Sequence, residues 1–222
     1  MHAVILAAGK GTRLRPLTET TPKALVDVKG RPLLAHILDA LPQEIHEIIL
    51  VVGHLQEQVR ERIGAVWNGR PVRYIAQETL DGTGTAVHLA KPFVQGSFLV
   101  VNGDDLYAAA DLSRLIAHPT AILLRREDGP VSPSALVDAD GRFVGLEADP
   151  PAHEPHLRVC GAYVLDERFF RYPLARVPVR SHEEYSLPHT LVEAGKDLSI
   201  RAEYATSWQP VGTPEELAAV NV

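Results

Sequence analysis

Hydrophobic positions along the chain fall into short apolar runs separated by segments with helical spacing. The runs at 3–6, 46–52, 72–76, 97–102 and 120–125 have the length and composition of buried strands. Between them, 32–41, 55–63, 84–91 and 111–118 read as helices. Leu33, Leu34, Ile37, Leu38 and Leu41 recur at helical intervals, so the first helix has one apolar face, and Pro32 suits its first turn. This alternation predicts an α/β fold with a mostly parallel central sheet flanked by helices. The second half is less regular. A hairpin of 135–138 and 142–147 turns at Asp140-Gly141, followed by a strand at 158–165, a helix near 184–194, a strand at 198–203 and a helix at 214–220. The turn-rich pieces at 128–133 and 149–156 are short enough for surface loops, so residues 1–222 are expected to form a single domain.

Composition narrows the class. With 222 residues, 45% apolar and 23% charged, the chain has the balance of an ordinary globular protein with one well-buried core. A net charge of −6 argues against general nucleic-acid binding. No apolar run approaches the ~20 residues of a membrane span. The N-terminal run leads straight into a glycine loop, unlike a signal peptide. The lone cysteine, Cys160, suits a reducing cytoplasm and, between Val159 and Gly161, reads as a buried thiol. The ten histidines form no metal signature. His153 and His156, in a proline-rich loop, are expected to be solvated, and His36 and His88 to be structural or surface residues. Trp67, before the Asn68-Gly69 turn, is expected to pack locally.

The most informative run begins at Leu6 and reads L-A-A-G-K-G-T-R-L-R-P-L-T-E-T-T-P-K-A-L-V-D-V-K-G-R-P-L. Gly9 and Gly11 break the first strand where a chain can turn at positive φ. Successive N–H groups in such a turn can form an anion-binding nest, and Arg13, Arg15 and Lys23 add positive charge nearby. The pattern is not a Walker A loop, because Lys10 lies between the glycines and no Gly-Lys-Ser/Thr follows. Nor is it a dinucleotide fingerprint, because the third position after Gly11 is Leu14. Further on, Asn102-Gly103-Asp104-Asp105 follows an apolar strand, and ligands of open parallel sheets bind beyond the carboxyl ends of strands. A carboxylate there suits Mg²⁺, a hard cation that favours oxygen ligands. In Q-E-T-L-D-G-T-G-T-A, Gln77 can offer donor and acceptor to a pyrimidine edge, while Gly82-Thr83 can cap the next helix.

Read together, L-A-A-G-x-G-T-R-L-x-P-L-T, P-K-x-L and V-x-G-x-P-L-L closely resemble the sugar-1-phosphate nucleotidylyltransferases, the nucleotide-sugar pyrophosphorylases. The resemblance implies a Rossmann-like nucleotidyltransferase fold with a smaller antiparallel portion on the sugar side. It implies that Leu6, Ala8, Gly9, Gly11 and Thr12 bind the nucleotide and that Arg13 and Lys23 contact its triphosphate, with Lys10 a weaker candidate. It places Mg²⁺ on Asp104, with Asp105 beside it or simply in the turn. Gln77, Gly82 and Thr83 resemble the base-reading segment of UTP-using members, and dTTP-using members share that spacing. The sugar side is implied at Gly103, Glu147, Gly161 and Tyr163, with Glu183-Glu184-Tyr185 leading into a C-terminal helix.

The implied partners are an NTP and a sugar 1-phosphate, with no nucleic acid or membrane, and a homo-oligomer is possible. The stretch after the last helix is expected to be too short for the β-helical domain that some members carry. Two positions depart from the family pattern. Asp149 stands where Glu-Lys-Pro would place a phosphate-binding lysine, and Pro210 where W-x-D-x-G-T would place a second metal carboxylate. Three readings follow: Mg-dependent nucleotidyl transfer from UTP or dTTP to a sugar 1-phosphate, non-catalytic nucleotide or nucleotide-sugar binding, or cytidylyl transfer to another phosphorylated acceptor.

Overall fold

The N-terminal apolar run forms β1 (His2–Ala7), at the centre of the molecule. This computed structural model describes residues 1–151, 156–179 and 182–222. After β1 come short 3₁₀ turns and a small ribbon, β2 (Asp27–Val28) and β3 (Arg31–Pro32), then α1 (Leu33–Asp39). Next follow β4 (Glu47–Val52), α2 (Gln56–Ile63), β5 (Val66–Trp67), β6 (Arg70–Ala76), α3 (Thr83–Leu89) and β7 (Phe98–Asn102). β8 (Asp105–Tyr107), α4 (Ala109–Leu115) and β9 (Ala121–Glu127) lead to the hairpin of β10 (Ser134–Val137) and β11 (Phe143–Glu147). The chain ends through β12 (His156–Leu165), the ribbon β13 (Arg176–Val179) and β14 (His182–Tyr185), α5 (Leu187–Ala194), β15 (Arg201–Tyr204), β16 (Trp208–Pro210) and α6 (Pro214–Asn221).

Eight strands pair in the order β15-β9-β12-β7-β1-β4-β6-β5. β1 is parallel to both β4 and β7, β4 to β6, and β15 to β9, while β12 runs antiparallel between β7 and β9. The chain winds from β1 outward to β4 and β6, then returns to lay β7 on the other side of β1. Where winding reverses, the loops leaving adjacent strands part, and a crevice opens beyond their carboxyl ends. That places the glycine loop after β1 beside the Gly103-Asp104 turn after β7.

The central strands read as unbroken apolar runs because both faces are covered. Ala3, Ile5, Leu50, Leu99 and Val101 face one core with α1 and α4, and Val4, Ile49, Val51 and Val100 face the other with α3 and α5. Leu33, Leu34, Ile37 and Leu38 of α1 are wholly buried, as their spacing predicts. Among the described residues, no helix is long and apolar enough to cross a membrane.

Several expectations need correction. The segment 182–185 does not belong to the C-terminal helix. It pairs with β13, and the helix starts only at Leu187, after Ser186 accepts from the His189 N–H as the cap. Pro188 suits the first turn because the N–H it lacks would have no helical partner. Asp105 is no turn residue: it opens β8, which pairs with β16. His156 is not solvated but 2% exposed; the Val131 N–H donates to its Nδ1, leaving Nε2–H for the Pro151 carbonyl. His153 lies outside the described residues. Cys160 is buried, as expected, and burial pushes its thiol far above the usual range.

Asp111, wholly buried on α4, ties that helix to the 204–208 segment leading into β16. Its carboxylate accepts from the Thr206 N–H (2.7 Å), the Thr206 hydroxyl (2.7 Å), the Ser207 N–H (3.2 Å) and Arg114 (2.8 Å). Burial alone would raise its pKa, but these donors outweigh burial and hold it below the usual carboxylate range. Asp111→Ala should cost about 1–3 kcal/mol at pH 7 by stranding buried donors. Because the folded pKa is depressed, this contribution is present above the unfolded pKa and is lost as pH falls through the folded one. Urea denaturation should therefore show the gap between wild type and variant closing below about pH 4.

Candidate active site

Two cavities meet at Asp104. The first is a cleft of about 470 Å³ lined by Leu6 to Thr12, Lys23, Ala24, Gln77, Leu80, Gly82, Thr83, Ala86, Asn102, Gly103, Asp104, His182 and Glu184. The second, about 340 Å³, is lined by Arg13, Asp104, Asp105, Arg125, Glu127, Arg158, Trp208, Pro210, Gly212 and Glu216. The sites inferred from sequence around the glycine loop, Gln77 and Asp104 thus share one crevice. Arg13 faces the second cavity.

Local geometry explains the glycines. Gly11 has φ 61° and starts the 3₁₀ turn Thr12–Leu14; its carbonyl accepts from the Leu14 N–H and the Thr18 hydroxyl. A Cβ there would come within 3.0 Å of Lys23 Cβ and Thr18 Cγ2, so a side chain would disturb the lysine itself. The N–H groups of Gly9, Lys10 and Gly11 have no partner among the described residues, which leaves them for an anion. Gly103 donates its N–H to the Leu6 carbonyl, and a Cβ would stand 2.8 Å from Ala7 Cβ. That close approach brings Asp104 over the end of β1.

Lys23 is nearly buried, and its Nζ donates to Asp104 Oδ2 at 2.5 Å. The Asp104 side chain is 37% exposed and borders both cavities. Behind it, Asp105 accepts from Asn102 and Tyr107, while the Tyr107 hydroxyl also reaches the Cys160 carbonyl. Burial first, and the Asp104 carboxylate second, push the Asp105 carboxyl well above its usual range. Burial thus favours the protonated form of Asp105, relative to an exposed carboxyl. Pro210 lies directly opposite Asp105 in the β8–β16 register and offers no side-chain oxygen. Among the described residues, no three His, Cys, Asp or Glu converge to cage a metal. One exposed hard carboxylate fits Mg²⁺ that completes its shell with water and substrate phosphate.

Gln77 donates Nε2 to the Gly82 carbonyl (3.1 Å), Thr85 Oγ1 (3.4 Å) and Asp81 Oδ1 (3.4 Å). Turning the amide over would set Oε1 against the carbonyl and carboxylate oxygens. The network therefore fixes Oε1 as the group left for a ligand. Gly82, at φ 124°, packs on the ribbon; its absent Cβ would lie 2.3 Å from the Tyr185 carbonyl oxygen. Thr83 lines the cleft while its hydroxyl accepts from the Leu187 N–H.

Of the residues inferred for the sugar side, Gly103 lines the cleft and the other three do not. Tyr163 is 3% exposed in the core and lines neither cavity, because its strand position points between the sheet and α5 rather than toward the crevice. Glu147, at the end of β11, also lines neither. Gly161 is needed for packing: at φ 71° a Cβ would be 2.1 Å from Asn102 Nδ2. Conversely, the sequence reading missed Leu80, Asn102 and His182 on the cleft and Arg125, Glu127 and Arg158 on the second cavity. Asn102 was detectable from its place before Gly103-Asp104. The others depend on strand pairing.

The chain belongs to the nucleotidyl transferase family, matching it over residues 2–222. It is 29% identical over 223 residues to the bifunctional protein GlmU of Methanocaldococcus jannaschii, covering 100% of this chain and 53% of that one. It is 35% identical over 182 residues to the CMP-5'-(3-aminopropyl)phosphonate synthase of Streptomyces rubellomurinus, covering 77% of this chain and 29% of that one. The chain spans about half the length of the first of these relatives. In fold it matches a crystal structure from Bacillus anthracis designated a glucose-1-phosphate thymidylyltransferase, in complex with sucrose. The TM-score is 0.85 at 23% identity, over 100% of this chain and 94% of that one.

Gly82→Ala should press the Gly82 loop and the ribbon apart. The expected outcome is a lower melting temperature and a loss of nucleotide affinity of about tenfold or more, measured by calorimetry.

Proposed function

We propose that this chain transfers a nucleotidyl group from UTP, with dTTP next in preference, to a sugar 1-phosphate, releasing pyrophosphate. The observation that carries this reading is the orientation of Gln77 in the cleft that also holds the glycine loop and Asp104. Uracil and thymine present an N3–H that Oε1 can accept. Cytosine presents an unprotonated N3 that Oε1 would repel. The preference for UTP over dTTP rests on the resemblance of residues 77–86 to UTP-using members.

The acceptor phosphate is already an anionic nucleophile, so the reaction needs no general base. What remains is alignment and charge neutralisation. An oxygen of the acceptor phosphate attacks the α-phosphorus, and the bond from that phosphorus to the β-phosphate bridging oxygen breaks. The bonding electron pair leaves with pyrophosphate. Free N–H groups at Gly9 to Gly11 and the Lys23 ammonium are placed to balance charge on the phosphate chain. Mg²⁺ held by Asp104 would supply a divalent charge between substrate and nucleotide phosphates. Lys23 donates to the Asp104 carboxylate and so fixes its orientation at the crevice.

A second reading is cytidylyl transfer to a phosphonate or other non-sugar acceptor. Asp149, exposed where the family motif places a lysine, and the Streptomyces relative favour it. Gln77 opposes it.

Pyrophosphate release across a matrix of UTP, dTTP and CTP with sugar 1-phosphates tests both readings. Turnover is expected with UTP; nucleotide binding without pyrophosphate from any pair would leave a binding protein only. Lys23→Ala and Asp104→Asn should each lower kcat by about 10²–10³-fold. Gln77→Ala should lower kcat/KM for UTP by about tenfold while leaving CTP little changed, narrowing the preference between them.

A further inference from the structure

The second cavity contains a cationic arrangement that the glycine loop alone does not explain. Arg125 on β9 and Arg158 on β12 stand directly opposite each other in the strand register. Like charges so placed repel. One carboxylate, Glu127, lies between them, 3.0 Å from Arg158 Nε and 3.7 Å from Arg125 Nε. Arg125 Nη1 also donates to the Trp208 carbonyl at 2.9 Å. These contacts engage Nε of Arg158 and Nε and Nη1 of Arg125. Nη2 of Arg125 and both Nη atoms of Arg158 have no partner among the described residues, and neither do the terminal nitrogens of Arg13. Asp104 and Glu216 also border this cavity but, among the described residues, make no ion pair with these arginines, so the outward guanidinium donors remain available to a further anion.

The path of the loop identifies that anion. Gly9 to Thr12 line the cleft, the next residue, Arg13, lines the second cavity, and Asp104 borders both. A phosphate chain following the loop therefore passes the Asp104 carboxylate and emerges among the three arginines. In an in-line displacement the leaving group departs opposite to the incoming oxygen. An acceptor entering from the cleft would drive pyrophosphate toward the second cavity. We propose that Arg125 and Arg158, with Arg13, seat the departing pyrophosphate, each guanidinium donating to its phosphoryl oxygens as charge develops there. This inference rests on the nucleotidyl-transfer reading.

Pyrophosphate titrated calorimetrically into the full chain tests it, with UMP as the control for the cleft and glucose 1-phosphate as a monophosphate ester. Arg158→Gln is the cleaner variant, because among the described residues Arg158 bonds only Glu127 through its side chain. Pyrophosphate affinity should fall about tenfold or more in Arg158→Gln and in Arg125→Gln, with UMP affinity held within about twofold. Arg158→Lys should recover part of the loss. In the reverse direction, with UDP-glucose, KM for pyrophosphate should rise while KM for UDP-glucose holds. Loss of glucose 1-phosphate affinity with pyrophosphate unchanged would assign the cavity to the acceptor phosphate and overturn the proposal. Normal turnover with unaltered pyrophosphate affinity would overturn it and leave the reaction standing. Arginine-dependent pyrophosphate binding without turnover would remove the reaction and leave the seat.

Discussion

A nearly buried ammonium and a half-exposed carboxylate, Lys23 and Asp104, hold the functional half of this molecule together. Their residues are far apart in sequence and arrive by different routes. Lys23 comes from the 3₁₀ segment after the glycine loop, and Asp104 from the turn after β7. Withdrawing an ammonium from water is costly unless it finds an opposite charge with good geometry. The pair therefore sets the distance between loop and turn, and the nucleotide cleft is the space left between them. Burial pushes the Asp105 carboxyl above its usual range, which disfavours a second negative charge beside the same ammonium.

This contact is available only because the sheet reverses direction at β1. With β4 on one side and β7 on the other, the carboxyl ends of β1 and β7 are neighbours whose following loops diverge. Missing side chains complete the approach. Gly103 lets the β7 turn rest on Ala7, and Gly161, in the bulge of β12, makes room for Asn102. In both places a Cβ would push the Asp104 turn away from the loop. The glycines matter less for flexibility than for the volume they leave empty.

The departures from the family pattern take on a physical meaning within this framework. Pro210 removes an oxygen from the wall opposite Asp105, next to a cavity where three arginines gather. That wall therefore adds no side-chain carboxylate at Pro210 beside Arg13, Arg125 and Arg158. On the other wall of the crevice, Gln77 has its amide donor committed to the Gly82 loop, which leaves its carbonyl oxygen as an acceptor facing the cleft.

The sequence by itself determined the alternating strands and helices of the first half, the apolar face of α1, the glycine loop and the candidacy of Lys23, Gln77 and Asp104, which the fold brings to one cleft. Those features follow from short-range rules: hydrophobic period, glycine at positive φ, and charged residues beside a strand end. Only the tertiary structure decided that Asp105 is a buried strand residue, that His156 is a core histidine, and that Tyr163 is buried in the core. It alone placed residues 182–185 in a ribbon against Gly82 and aligned Arg125 with Arg158 across two strands. Each of these depends on which strands become neighbours and in which register. Burial and pairing between distant segments are set by the whole sheet, whereas a local pattern reveals only what each segment can become.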